Sequence, residues 1–335
     1  MPETPVTLVT GASGFLGGAI ARRLVERGDR VRVLARPTSR LDGLDGLDGL
    51  DGVEVALGSL GDGASLEAAL RGAGVVYHCA GLSTDWASWP AFYEANVAGV
   101  RRLLAAASRT PTLRRLLHVS TTDVYGYPRR AGDEATPIRD VGLGYNRSKG
   151  LGELAVWDAH RRTGLPVTVV RPGSVYGARS KDFVLEIAQA VWAGQMVLVD
   201  GGRAPAGLLY VDNAVDAIVA AAEAPAAVGR AYALRDEAPT TWRTYADALA
   251  DALGVARPRR SVPEPAALAL AAAAERAHRL LRRPGRPLLT RHAVLLTSRP
   301  QDFPLDRARA ELGFRSRVPF EEGLARAAAW AATQV

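Results

Sequence analysis

An α/β fold, with a doubly wound parallel sheet and a smaller, mainly helical C-terminal lobe, is predicted by three features of this chain. Short β-rich runs alternate with longer helical patterns from residue 6 to about 175, the signature of βαβ units. Several of these runs are apolar on both faces, as a sheet covered by helices requires. Beyond residue 175 the pattern turns to helices with scattered short strands, and proline becomes frequent between Pro258 and Pro304. At 335 residues, 48% hydrophobic, the chain exceeds the roughly 250 to 300 residues at which one core stops growing, so a large domain carrying a smaller one is expected.

Taken in order, strands are expected at Val6 to Val9, Val31 to Ala35, Val53 to Leu57, Val75 to His78, Arg115 to Val119 and Val167 to Arg171. The first runs through Thr10-Gly11-Ala12-Ser13-Gly14-Phe15-Leu16-Gly17 into a helix whose apolar positions include Leu16, Ile20, Leu24 and Val25. After the second strand, Leu41 to Gly52 is four copies of Leu-Asp-Gly. A three-residue period has no packed architecture at this length, and its acids lack the spacing of a calcium loop, so it reads as an expanded surface loop. Leu208 to Val211 followed by Asp212 reads as a strand entering an N-capped helix. The expected division is a first domain over 1–175, with 205–225 returning to it, and a lobe over 176–335.

Composition excludes several classes of function. One cysteine, Cys79, rules out an internal disulfide framework and fits a reducing compartment. The N-terminus runs into the first strand with no basic and apolar leader, so no secretion signal and a cytoplasmic location are expected. The most lipid-like stretch, Ala266 to Leu281, is interrupted by Glu275, Arg276, His278 and Arg279 and is no transmembrane span. The net charge of +7 comes mostly from scattered arginines, and the six Phe show no aromatic-basic alternation, so nucleic acid is not an expected partner. No metal site is expected.

The glycine spacing Gly11-x-x-Gly14-x-x-Gly17 carries the first chemistry. A pyrophosphate must approach backbone N–H groups at a helix N-terminus without a Cβ in the way. With a strand before and a helix after, the turn fits a dinucleotide-binding Rossmann domain, contacted by Gly11, Ser13, Gly14, Phe15, Leu16 and Gly17. Arg36 ends the second strand, where this fold places an acid for a ribose 2′-hydroxyl or an arginine for a 2′-phosphate. NADP(H) is therefore favoured over NAD(H), with Arg40 as a second cation or a solvated loop charge.

Hydride delivery to a carbonyl needs a proton donor and a polar group to hold the oxygen. Tyr145 and Lys149 stand four apart and project from one helix face, where an ammonium lowers a phenol whose ordinary pKa is about 10. The polar partner is expected at the end of the preceding strand, where Ser120-Thr121-Thr122 offers three hydroxyls without a choice among them.

The glycine turn, Asn96-Val97-Ala98-Gly99, Val119 to Gly126, the Tyr145/Lys149 pair and Arg171-Pro172-Gly173-Ser174-Val175-Tyr176-Gly177 together resemble the extended short-chain dehydrogenase/reductase superfamily. Asp302 to Ala308 with Glu311-Leu312-Gly313-Phe314 resembles the 3β-hydroxysteroid dehydrogenase-like and dihydroflavonol reductase-like branch. The resemblance implies that Thr121 is the catalytic hydroxyl and Tyr145 the general acid. It implies that Lys149 binds the nicotinamide ribose and tunes Tyr145, and that Asn96 supports the site from behind. It also implies that Ala80 and Gly81 line the cofactor and that Pro172, Ser174 and Val175 lie near the nicotinamide. Gly58-Ser59-Leu60 replaces the usual Gly-Asp-Leu, removing an Asp side chain from the adenine side.

The function expected is an NADPH-dependent ketoreductase or alcohol dehydrogenase for a hydrophobic carbonyl compound, steroid-, β-keto acyl-, polyketide- or flavonoid-like. The alternatives are a nucleotide-sugar epimerase or dehydratase retaining NAD, with Arg179, Lys181 and Arg203 as a possible clamp, and an NADP(H)-sensing regulatory protein. A homodimer is compatible with the resemblance. His78 reads as a structural histidine, and Tyr125 as a wall residue rather than a proton donor. Trp86 and Trp89 read equally as pocket or packing residues. The run Arg276 to Arg286 reads first as a solvated helix face, then as a contact for a membrane surface or carrier protein.

Overall fold

The computed structural model describes residues 5–40 and 53–334; the Leu-Asp-Gly repeat lies outside them. Strands β1 (Val6–Thr10), β2 (Val31–Ala35), β3 (Val53–Leu57), β4 (Ala73–His78), β5 (Arg115–Val119) and β6 (Val167–Pro172) fall where the apolar runs place them. With a later strand, β10 (Arg230–Leu234), they form one seven-stranded parallel sheet in the order β10-β6-β5-β4-β1-β2-β3. The chain switches direction beside β1, which opens a crevice at the carboxyl edge there.

The apolar runs are continuous because successive side chains serve two different cores. Leu8, Val76, Leu116 and Val169 pack on one face with Leu66, Leu103 and Val156, from helices α2 (Gly63–Leu70), α4 (Gly99–Ala107) and α5 (Gly144–Thr163). Their neighbours Val9, Tyr77, Leu117 and Val170 pack on the other with Ile20, Leu24, Ala214 and Ile218, from α1 (Phe15–Glu26) and α7 (Val211–Glu223). A short helix, α3 (Trp89–Tyr93), leads through a wider turn, Glu94–Ala98, into α4.

Two differences from the expected order stand out. The strand at β9 (Leu208–Tyr210) pairs with β7 (Ser174–Tyr176), outside the main sheet. It passes directly into α7, whose N-cap is Tyr210 without a side-chain cap; Asp212 lies inside the first turn and pairs with Arg326. Asp212 is therefore not the cap, because no residue separates strand from helix. The seventh strand, β10 (Arg230–Leu234), lies beside β6, in a stretch assigned above to the lobe. Its Ala231 and Ala233 are weak strand formers, yet both are buried, so tertiary packing makes the strand.

The rest of the lobe is α6 (Glu186–Trp192), the pair β8 (Val197–Val199) and β11 (Arg260–Val262), α8 (Trp242–Ala252), α9 (Glu264–Leu280), α10 (Arg291–Ser298), α11 (Asp306–Leu312) and α12 (Phe320–Ala332). Helices α9 and α10 share a small core of Val199, Ala267, Ala271 and Val294. Among the described residues, no helix is long and apolar enough to cross a membrane.

Candidate active site

The turn after β1 is built for close backbone approach. Gly11 has φ +77, and a Cβ there would lie 2.6 Å from the Ala80 nitrogen; a Cβ on Gly17 would drive into the Gly11 carbonyl. Gly14 is the N-cap of α1, and it and Ser13 stand exposed before the first turn, which Phe15 and Leu16 begin half-buried. An uncovered helix N-terminus reached by side-chain-free backbone is an anion cradle, so these residues fit a dinucleotide pyrophosphate.

The facing loop after β4 is held rigidly. The Thr10 hydroxyl accepts from the Ala80 amide at 3.2 Å and meets His78 Nδ1 at 2.8 Å. Asn96 Oδ1 accepts from Leu82 N at 2.7 Å, and Asn96 Nδ2 donates to Leu82 O and to the Ser148 hydroxyl of α5. Gly81 is tight against Asn96, 2.8 Å from a would-be Cβ to Oδ1. Asn96 thus couples the 80–82 loop to the helix that carries Tyr145. Arg36 and Arg40 stand exposed just after β2, in a turn closed by Ser39.

Tyr145 is the second residue of α5 and Lys149 lies one turn on. The three candidate hydroxyls part company. Ser120 donates to buried Glu153 at 2.6 Å and Thr122 to Gln301, whereas the Thr121 and Ser83 hydroxyls are the two that act on the Tyr145 phenol. Thr121 is also held by the Asp123 amide, and Asn146 ties this turn to α5 through Asp123 O and Arg139 O. Tyr125 is engaged elsewhere: it accepts from Arg171 at 2.7 Å and stacks on Phe303. Pro172, Ser174 and Val175 follow at the same sheet edge, where Ser174 N donates to Gly207 O and its buried hydroxyl has no partner.

Electrostatics here follow burial. Lys149 donates to Val119 O at 2.8 Å, and burial lowers it to about 8 against the opposing pull of Glu153, Cys79 and Asp123. Burial, then the Asp123 charge, hold the Tyr145 phenol well above its ordinary range, while its bonds from Ser83 and Thr121 act the other way. The Lys149 ammonium turns back to the end of β5. His78 is pushed down to about 3 by burial and then by Lys149; with Thr10 as its partner it is structural. Burial lifts Cys79 to about 12, an inert thiol.

Four residues of this cluster had no role assigned from the sequence: Ser83, Asp123, Tyr127 and His292. The His292 ring, from α10, stacks on Tyr145 at 5.5 Å between centroids, and its Nε2 lies 3.2 Å from Asp123 Oδ2. Tyr127 donates to the same oxygen at 2.8 Å, with its backbone in the left-handed region at φ +56. Burial opposes the His292 charge, but Asp123, Asp85 and Asp182 outweigh it and raise the imidazole above its ordinary value. Thr290 caps α10 and donates to Asp85 at 2.6 Å, pinning the helix over the site. Asp123 sits inside the Val119 to Gly126 segment; His292 has no local motif that could have announced it.

Beside Gly144 a cleft of about 320 Å³ opens, lined by Trp86, Trp89, Phe92, Arg147, Arg279 and Arg291 among others. The Arg147 guanidinium lies over Trp89 at 4.4 Å and that of Arg279 over Trp86 at 4.7 Å, so both tryptophans belong to the cleft wall.

Residues 7–234 match the NAD dependent epimerase/dehydratase family. The chain is 33% identical over 321 residues to the 4-hydroxy-2-methyl-3-oxo-4-farnesyl-3,4-dihydroquinoline-1-oxide ketoreductase of Stigmatella aurantiaca, covering 95% of this chain and 94% of that one. It is 31% identical to a 2-alkyl-3-oxoalkanoate reductase of Stenotrophomonas maltophilia, over 95% and 97% of the two chains. The crystal structure of gox2253 superposes with a TM-score of 0.81 at 28% identity, covering 98% of each chain.

Proposed function

Because the chain belongs to the NAD-dependent epimerase/dehydratase family and is an oxidoreductase of the extended short-chain dehydrogenase/reductase type, we propose that it is an NADPH-dependent ketoreductase for a hydrophobic carbonyl compound. The observation that carries this reading is the placement of Tyr145 at the start of α5, one turn before Lys149 and under the His292 ring, with Thr121 at the turn after β5. When bound, the dinucleotide supplies the hydride that reduces the carbonyl carbon. Tyr145 donates its phenolic proton to the carbonyl oxygen, and Thr121 holds that oxygen and the phenol in line. A general acid must carry its proton before it acts, and burial beside Asp123 keeps the phenol protonated. Lys149 provides a buried positive charge one helical turn away, at the end of β5, and Asn96 fixes the loop that faces the cofactor.

A cation at the end of β2, Arg36, supports NADP(H) over NAD(H). The substrate class is supported by two relatives whose names both place the reacting oxo group on an apolar acyl or prenylated skeleton, and by the tryptophan-walled cleft. The test is oxidation of NADPH against NADH with a panel of hydrophobic ketones, in wild type and Tyr145→Phe. Tyr145-dependent, NADPH-selective turnover is expected, with dinucleotide binding intact in the variant. Turnover that survives Tyr145→Phe, or nucleotide-sugar epimerisation without net oxidation of the cofactor, would overturn the reading.

A further inference from the structure

Helix α9 presents a face that is left exposed by the described residues. Ala267, Ala271 and Glu275 point into the lobe, while Ala266, Leu270, Ala273, Ala277 and Leu280 are all exposed. Those five positions follow the i, i+4, i+7 repeat of one helix face. Leu270, Leu280, Leu281 and Leu288 are 58%, 73%, 62% and 104% exposed. Single exposed leucines need no explanation, but a continuous apolar stripe does.

The charge around the stripe has one sign. From Arg276 to Gln301 the chain contains arginines and no aspartate or glutamate. Arg276 and Arg279 lie on the adjoining face of α9, and Arg282 and Arg283 follow in the turn after it; all four are exposed. Arg279 is drawn to Glu275 and Trp86 and Arg286 to Asp85 and Glu186. Arg276, Arg282 and Arg283 make no ion pair with any described residue. An apolar stripe edged by arginines is the pattern of a helix lying in a membrane interface. A second copy of this chain would bring the same arginines against themselves, since a two-fold contact pairs a patch with itself, and like charges there are costly.

We propose that the exposed face of α9 and the loop through Leu288 form a docking surface for an anionic lipid bilayer. The position of the patch gives docking a use. Arg279 covers Trp86 at the rim of the cleft beside Gly144, and docking through α9 holds this lobe at the bilayer, where an apolar substrate is dissolved. The substrate part of this inference rests on the ketoreductase reading; the docking part does not.

The test is sedimentation of the full chain with vesicles of phosphatidylcholine alone and with vesicles containing roughly a third phosphatidylglycerol. Wild type is expected to partition into the anionic vesicles at least about tenfold more strongly, and less so as salt shortens the reach of the charges. Arg282→Glu/Arg283→Glu and Leu280→Ser/Leu281→Ser should each reduce that partition roughly tenfold or more, with ketone turnover in vesicle-free solution unchanged as proof of folding. Wild type that ignores anionic vesicles, or that binds both vesicle types alike and indifferently to the substitutions, overturns the proposal. So does a concentration-dependent dimer, or capture of a carrier protein, that the same substitutions abolish while vesicles are not bound. Intact vesicle binding without any ketone turnover would sink the reductase reading and leave the docking surface standing.

Discussion

Replacing His292 by leucine tests whether the lobe is electrostatically locked onto the site. In the native arrangement His292 Nε2 stands 3.2 Å from Asp123 Oδ2, with Asp123 5% and His292 8% exposed. Leucine fills a similar volume but leaves a buried carboxylate facing only the Tyr127 hydroxyl. Removing one partner of a buried ion pair costs about 3 to 5 kcal/mol; the pair is slightly open to solvent, which places the expected loss near the low end, at about 3 kcal/mol. That is roughly two powers of ten in the folding constant. Asp123→Asn should cost less, about 1 kcal/mol, because His292 escapes by losing its proton. The double variant should resemble Asp123→Asn, a coupling of about 3 kcal/mol. The sign of the pH dependence follows from the raised His292 value: its stabilisation is fully present below the ordinary histidine range and is lost as pH rises through its own higher pKa. Urea unfolding followed by tryptophan fluorescence, from mildly acidic to alkaline pH, measures all of this. A gap between wild type and His292→Leu that widens as pH rises, stays under about 1 kcal/mol, or adds simply with Asp123→Asn would refute the argument.

The other predictions concern the site directly. Gly11→Ala puts a Cβ against Ala80 at a φ of +77; it should cost roughly 1 to 3 kcal/mol of stability and weaken dinucleotide binding at least about tenfold by titration calorimetry. Tyr125→Phe removes the acceptor of an Arg171 bond and should cost about 1.5 to 3 kcal/mol in unfolding while ketone turnover persists; loss of turnover equal to that of Tyr145→Phe would reassign the proton donor. Lys149, lowered to about 8 by burial, should give kcat/KM a decline as pH rises through that region, and Lys149→Met should flatten that limb of the profile. Arg36→Asp should shift the NADPH-to-NADH preference toward NADH in kcat/KM ratios, by an order of magnitude or more for a charge reversal at a 2′-phosphate.

Five strands of the main sheet were legible because they are buried on both faces, so runs such as Val167 to Val170 need no partner to be recognised; the edge strand β3 is largely exposed and was legible from its β-branched residues alone. The seventh was not, because Arg230-Ala231-Tyr232-Ala233-Leu234 has strand character only when packed beside β6. The glycine turn was legible for a local reason too: a Cβ on Gly17 would meet the Gly11 carbonyl six residues back within the same βα unit. Among Ser120, Thr121 and Thr122 the sequence offered no choice. What separates them is the identity of distant neighbours, Glu153, Gln301 and Ser83, and such neighbours leave no trace in local spacing.

This division has a functional logic. What the first domain contributes, the cradle at Gly11 to Gly17, the Asn96 clamp and the Tyr145/Lys149 turn, is set within the βαβ framework, partly by near neighbours, as Gly17 on Gly11, and partly across it, as Asn96 on Ser148. What the lobe contributes arrives over long sequence separations: His292 over Tyr145, Gln301 on Thr122, Arg279 over Trp86. These contacts form only when α9 and α10 are seated, and α10 is seated through Asp85, which sits in the loop that also carries Trp86. On the ketoreductase reading, a substrate in the cleft bears on the same loop that positions His292 over the phenol. Substrate fit and the environment of Tyr145 are linked through Asp85 and Thr290, so Thr290→Val should alter KM and kcat together rather than either alone, and steady-state kinetics with the preferred ketone tests that coupling.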